Sequence, residues 1–257
     1  MEQLLRLEHI SLTYQSENGE VFALNDISFS VNCGEFISIV GPSGCGKSTL
    51  LSLIAGLEKP SEGEIYLHGQ PVCGVSSAMG YMLQQDNLLE WRSIRSNVLL
   101  GLEIRGQRTP ENVCYAEHLL KTYGLADFAD KYPHQLSGGM RQRAALIRTL
   151  AVRPELLLLD EAFSALDYQT RLTVTEDVFS ILKQEGKTTL MVTHDIPEGI
   201  SMADRMLILS RRPATLAADF PLDFPEAAEA LTPLARRNHP NFSTYFNLIW
   251  KELDVHE

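Results

Sequence analysis

The sequence predicts an α/β protein. It should contain a mainly parallel sheet covered by helices, an antiparallel β subdomain at the N-terminal end and an inserted α-helical subdomain. Three observations predict this. Short apolar runs at Phe36–Val40, 156–159 and 188–193 alternate with helical patterns, and strands buried on both faces read as such runs. The first run leads through Gly41, Pro42, Ser43, Gly44, Cys45, Gly46, Lys47 and Ser48 into an amphipathic helix, with the spacing G-x-x-x-x-G-K-S. The stretch from about 87 to 152 is helical throughout and interrupts the alternation.

Taken in order, residues 4–15 and 21–31 alternate apolar and polar side chains around a Ser-Glu-Asn-Gly turn and read as an antiparallel hairpin. Phe36–Val40 is a buried strand, and 47–56 a helix offering Leu50, Leu51, Leu53 and Ile54 to the core. Strands are expected at 64–68 and 79–84, then the helical block, then a strand at 156–159. A helix at 168–185, a strand at 188–193, a short helix and a last strand at 206–210 complete the pattern. The tail beyond Arg212 is punctuated by Pro213, Pro221, Pro225, Pro233 and Pro240. It ends in a helix with Phe242, Phe246, Ile249 and Trp250 on one face, which reads as docking on its own domain. Residues 1–212 are thus expected to form the main domain, with its helical subdomain at about 87–152 and an extension at 213–257.

Composition narrows the function. The chain has 257 residues, 44% of them hydrophobic and 21% charged, as in an ordinary globular protein. Its formal net charge of −11 argues against nucleic acid, whose binding needs clustered positive charge. Arg141, Arg143 and Arg148 fall together on a predicted helix and read as a solvated face. The four cysteines (Cys33, Cys45, Cys73, Cys114) have no framework spacing, so reduced thiols are expected. The N-terminus lacks the pattern of a signal peptide, and no apolar run approaches the roughly 20 residues that span a bilayer. Action at a membrane is therefore expected to go through a partner.

The glycine-rich loop at 41–48 has the chemistry of a phosphate cradle. Unpaired N–H groups and the positive end of the helix dipole favour an anion. Lys47 should reach the β- and γ-phosphates of a nucleotide, and Ser48 should ligate Mg²⁺, so the fold expected is a P-loop NTPase core. Asp160 ends the apolar run Leu156-Leu-Leu-Leu159 and is expected to help hold the metal. Glu161 follows it, placed to orient or deprotonate water. His194 closes another apolar run, and ligands of parallel sheets bind at such carboxyl ends. The same holds for Gln84 or Gln85, which spacing does not separate. Tyr14 reads as sheet packing or as a ring for a nucleotide base. A second glycine-rich element, Leu136, Ser137, Gly138, Gly139 and Met140, starts another helix with Ser137 at its N-cap and is also suited to phosphate. One nucleotide needs only one cradle.

Together these residues, in order from Tyr14 to about Ser210, resemble an ATP-binding cassette (ABC) ATPase. His134-Gln-Leu-Ser-Gly-Gly-Met-Arg-Gln-Arg143 is similar to the family signature, although Met140 stands where Gln is common. The resemblance implies that ATP and Mg²⁺ are bound. It assigns Tyr14 to adenine stacking, the 41–48 loop with Thr49 to the nucleotide, and Ser48, Gln84 and Asp160 to the metal. Gln84 also senses the attacking water, Glu161 is the base and His194 contacts the γ-phosphate. Ser164, Ala165, Leu166 and Asp167 form a loop at a dimer interface. Two subunits pair head to tail, Ser137, Gly138 and Gly139 of one closing over ATP held by the other. Within the family, Asn87-Leu-Leu-Glu-Trp91 and the exit Leu209-Ser-Arg-Arg-Pro213 resemble importers of nitrate, sulfonate and taurine. This implies a transmembrane permease, contacted through 84–102 including Leu88, Leu89 and Trp91. It also implies an extracytoplasmic solute-binding protein acting indirectly and a place at the cytoplasmic face of the membrane. The other readings are a soluble ABC ATPase acting on nucleic acid or ribosomes, and an exporter ATPase.

Overall fold

The computed structural model describes residues 2–16, 19–224 and 232–255. β1 (Gln3–Ser16) and β2 (Gly19–Asn32) form the antiparallel pair, with Leu5 opposite Val31 and Leu12 opposite Leu24. β3 (Phe36–Val40) and α1 (Lys47–Ile54) follow. β4 (Glu62–Leu67) adds to the other side of β1, and the short β5 (Gln70–Pro71) ends that sheet, in the order β2-β1-β4-β5.

β6 (Met79–Met82) precedes the helical insert. The insert holds α2 (Ile94–Val98), α3 (Leu100–Ile104), α4 (Pro110–Thr122) and α5 (Gly138–Ala151). Local chemistry sets their starts. Ser93, Thr109 and Ser137 each accept a first-turn N–H, and Pro110 sits where a helix needs no donor. β7 (Leu156–Asp160), α6 (Tyr168–Gln184), β8 (Thr188–Val192), α7 (Ile196–Met202) and β9 (Arg205–Leu209) restore the alternation. β10 (Leu216–Pro221), α8 (Pro233–Arg237) and α9 (Pro240–Val255) form the tail.

The second sheet runs β10-β9-β3-β8-β7-β6, parallel except that β10 is antiparallel to β9. The sequence reading ended the sheet at 206–210. β10 escaped it because Leu-Ala-Ala-Asp-Phe-Pro is an edge segment that is only partly buried and has no apolar run.

Two cores lie on the two faces of this sheet, and successive strand residues alternate between them. Ile37, Ile39, Leu156, Leu158, Leu190 and Leu207 join β1, β2 and α1 on one side. Val40, Leu157, Leu159, Met191 and Ile208 join the helical insert and the tail on the other. That two-sided burial is why the strands read as continuous apolar runs. Each fully buried leucine contributes about 1.5–3 kcal/mol, so Leu158→Ala would cost about 2–5 kcal/mol once its cavity is counted.

The arginines of α5 are not a solvated face. Arg141 pairs with Asp86 at 3.1 Å, and Arg143 with Asp177 at 3.3 Å. Arg148 donates to the carbonyls of Asn87 (2.6 Å) and Asp86 (2.7 Å). Burial is what lowers the pKa of its guanidinium. Helical spacing placed these residues together, but only the tertiary fold brings the 84–87 loop across them. Leu88 is also core, at 7% exposure, whereas Trp91 is 76% exposed. The loop between them is pinned by Asn97, which is fully buried. Its amide accepts from Leu89 N–H at 2.7 Å and donates to the carbonyls of Leu89, Arg92 and Ser93. In the tail, Ile249 is buried, and Arg236 donates to Ala203 while lying over the rings of Phe179 and Phe224.

Candidate functional site

The carboxyl ends of β3, β7 and β8 meet at one cleft of about 470 Å³. It is lined by Ser43, Gly44, Gly46, Lys47, Ser48, Thr49, Glu161, His194 and Arg212. Its floor is the β3–α1 turn. Gly46 takes φ 122, and a Cβ there would meet Leu24 Cδ2 at 2.8 Å, so only glycine fits. A Cβ on Gly41 would lie 2.9 Å from the Leu209 carbonyl. Helix α1 starts at Gly46 with no side-chain cap, which leaves its first N–H groups for an anion. Lys47 is 6% exposed and donates from Nζ to the carbonyls of Gly41 (2.8 Å) and Pro42 (2.9 Å), using two of its three donors. The Cys45 side chain is buried in the core, and burial raises its thiol pKa; only its backbone belongs to the loop.

Ser48 Oγ donates to Asp160 Oδ1 at 2.9 Å, and the Tyr81 hydroxyl donates to Oδ2 at 3.1 Å. Burial pushes the Asp160 pKa up, and these two bonds offset part of that rise. The same burial and the carboxylate beside it push the Tyr81 phenol up. A hydroxyl and a carboxylate side by side next to a phosphate cradle are the hard oxygen set that suits Mg²⁺, which takes few protein ligands and shares the phosphates. Among the described residues no cluster of three His, Cys, Asp or Glu could hold a metal by itself.

Glu161 sits at φ 45, with its N–H bonded to the Val192 carbonyl at 2.9 Å. A non-glycine residue there costs about 1–3 kcal/mol, and such strain gathers at functional positions. Its carboxylate lies 3.3 Å from Gln84 Nε2 and 3.5 Å from His194 Nδ1. Gln84 also donates to Ser164 Oγ at 3.2 Å, and Ser164 donates to the Glu161 carbonyl at 2.9 Å. The fold thereby separates Gln84 from Gln85, whose carbonyl instead accepts from Asn87.

Tyr14 stands apart from the cleft lining, 37% exposed, with its hydroxyl donating to Glu58 at 2.7 Å. Burial and Glu58 raise its phenol pKa.

The second glycine-rich element is not at this cleft. Ser137 caps α5 by accepting from Met140 N–H at 3.3 Å and is exposed. A Cβ on Gly139 would meet Val174 Cγ2 at 2.8 Å, and one on Gly138 would meet Leu166 Cδ2 at 3.2 Å. These glycines let α5 approach α6 and the 164–167 loop, a packing role that the spacing alone does not show.

The ABC transporter family profile matches residues 24–164, more than half of the chain. The uncharacterized ABC transporter ATP-binding protein YtlC of Bacillus subtilis (strain 168) is 50% identical over 97% of this chain and 95% of its own length. The chain belongs to the ABC transporter ATPase family. As an ABC ATPase it binds ATP and couples ATP hydrolysis to transport. The taurine import ATP-binding protein TauB of Roseobacter denitrificans is 36% identical, covering 96% of this chain and 94% of its own. Among solved structures, the dimeric post-hydrolysis state of the ATP-binding cassette MJ0796 bound to ADP and Pi superposes with a TM-score of 0.73. It is 31% identical over 86% of this chain and 100% of that chain.

Three residues in or beside this ABC ATPase's site have contacts there that the sequence does not show. Tyr81 falls in a predicted strand, where tyrosine ordinarily means packing. Ser164 was read only as part of the interface loop. Arg212 lies beyond the last predicted strand, and no spacing connects it with Gly41–Ser48.

Proposed function

We propose that the chain is the ATP-hydrolysing subunit of an importer for a small anionic solute of the nitrate, sulfonate or taurine kind. Two copies pair head to tail, and Ser137, Gly138 and Gly139 of one close over the nucleotide held by the other. The observation that carries the pairing is the division of the two glycine-rich elements. Ser43, Gly44, residues 46–49, Glu161, His194 and Arg212 wall the cleft, and no residue of 136–140 does. The likeness to TauB supports import, and the dimeric MJ0796 structure supports the pairing.

In this reading Lys47 and the free N–H groups of α1 bind the β- and γ-phosphates, while Tyr14 stacks on adenine. Ser48, Asp160 and Gln84 would hold Mg²⁺, which would supply positive charge to the phosphates. Glu161 accepts a proton from the attacking water, Gln84 keeps that water oriented and His194 contacts the γ-phosphate. Among the described residues no helix is long and apolar enough to cross a membrane, so a separate permease carries the solute. Residues 84–102 form the permease contact at the cytoplasmic face, with exposed Trp91 beside the loop that Asn97 pins. A solute-binding protein acts on the far side without touching this chain.

Glu161→Gln is expected to keep ATP binding and lower turnover about 10²–10⁴-fold. Unchanged turnover would remove Glu161 as the base. The chain should copurify with its permease and drive ATP-dependent uptake of taurine, a sulfonate or nitrate into vesicles. Export, or no uptake of any of them, would overturn the importer reading.

A further inference from the structure

The β9–β10 turn carries a cation to the nucleotide cleft on a rigid support. Ser210 N–H donates to the Thr215 carbonyl at 3.0 Å, Thr215 N–H donates to Ser210 Oγ at 2.9 Å, and the two hydroxyls lie 3.0 Å apart. Next to it, Ala214 is fully buried and stapled to β2: its N–H donates to Ala23 (3.0 Å) and its carbonyl accepts from Asn25 (2.9 Å). That stretch of β2 is the one Gly46 abuts, and the strand feeding the turn touches Gly41 through Leu209. Both ends of the turn are therefore keyed to the phosphate loop.

At its tip Arg212 lines the cleft together with Lys47 and Ser48. Its neighbour Arg211 does not line that cleft. Charge balance separates Arg212 from other arginines of the same sheet. Arg205 is neutralised by Glu35 and Asp219, whereas no carboxylate among the described residues pairs with Arg212. In a chain of net charge −11, an unneutralised guanidinium held at a phosphate cradle has a ready counterpart in a polyphosphate.

We propose that Arg212 is a nucleotide-binding residue of this site, its guanidinium engaging the polyphosphate of the bound nucleotide. This rests on the reading of the cleft as the ATP site. The test measures dissociation constants of ATP and of tripolyphosphate, which carries the charge without a base, for the full chain and for Arg212→Gln, Arg212→Lys and Arg211→Gln. Arg212→Gln should weaken both ligands about five- to tenfold, the lower end for a charge-assisted bond at an exposed site. Arg212→Lys should fall between it and the wild type, and Arg211→Gln should match the wild type. Equal affinities in Arg212→Gln and Arg211→Gln would overturn the role of Arg212 alone, as would a loss confined to ATP. Failure of the wild-type chain to bind ATP would overturn the reading of the cleft and this role with it.

Discussion

The two glycine-rich helix starts of this protein look alike in sequence and differ in what their glycines do. At α1 the N-cap is a glycine at φ 122, no side chain caps the first turn, and a buried lysine sits beneath it. At α5 Ser137 caps its own helix, and Gly138 and Gly139 are filled against Leu166, Thr170 and Val174. The first start is open to an anion on its own. The second is a packing device that presents an exposed Ser137 at the surface. A glycine run before a helix is thus not evidence of one particular ligand; what caps the helix and what fills the space of the missing Cβ decide its use.

Substitutions can break that contrast. The largest effect is expected at Gly46→Val. The backbone at φ 122 and Leu24 at 2.8 Å leave no room, so ATP binding should vanish in equilibrium dialysis and stability should fall by more than 3 kcal/mol. ATP binding near the wild-type value would mean that the loop geometry is not what makes the cradle.

The next effect is on pH dependence, and it comes from α7. Glu198 lies in the first turn of α7 and accepts a bond from Thr193 at 2.5 Å. Burial pushes its carboxyl up to about 7 from an ordinary 4.5. Between those values the folded chain keeps a proton that the unfolded chain releases. The contribution of Glu198 to stability should therefore be full below about pH 4.5 and be lost, about 3 kcal/mol, as pH rises through 7. Denaturant titrations of Glu198→Gln should show a flatter decline from pH 5 to 8; an unchanged slope would remove Glu198 as its cause.

Gly139→Val should cost about 1–3 kcal/mol by overpacking α5 against α6, while the isolated chain still binds ATP normally. A loss of ATP affinity there would bring the second element into the same cleft and erase the contrast. Ser137→Ala should have the smallest effect, about 1 kcal/mol from the lost cap, seen as a small drop in Tm with no change in ATP affinity.

Much of the first element was legible in the sequence, because its function depends on consecutive residues. The G-x-x-x-x-G-K-S spacing, the apolar run before it and the carboxylates after Leu159 are local patterns, and two-sided burial keeps the strands uniformly apolar. What was not legible depends on distant chain. Arg141 and Arg148 read as surface until the 84–87 loop crosses them. Asn97 is an ordinary polar residue in sequence and a fully buried anchor in the fold. Arg212 joins the site only because β2 holds its turn against Gly46. Gly139 has a second neighbour that its pattern does not show, since only the fold brings Val174 and Thr170 of α6 against it.

The central claim is that each ATP site takes its cradle from one chain and its Ser137 element from another. It is tested most directly by mixing two inactive variants, Lys47→Ala and Ser137→Arg, and measuring ATP hydrolysis. A mixed pair contains one site with an intact loop from the Ser137→Arg chain and an intact Ser137 from the Lys47→Ala chain. Activity should therefore return in the mixture while each variant alone stays inactive. A mixture as inactive as its components would contradict the shared site.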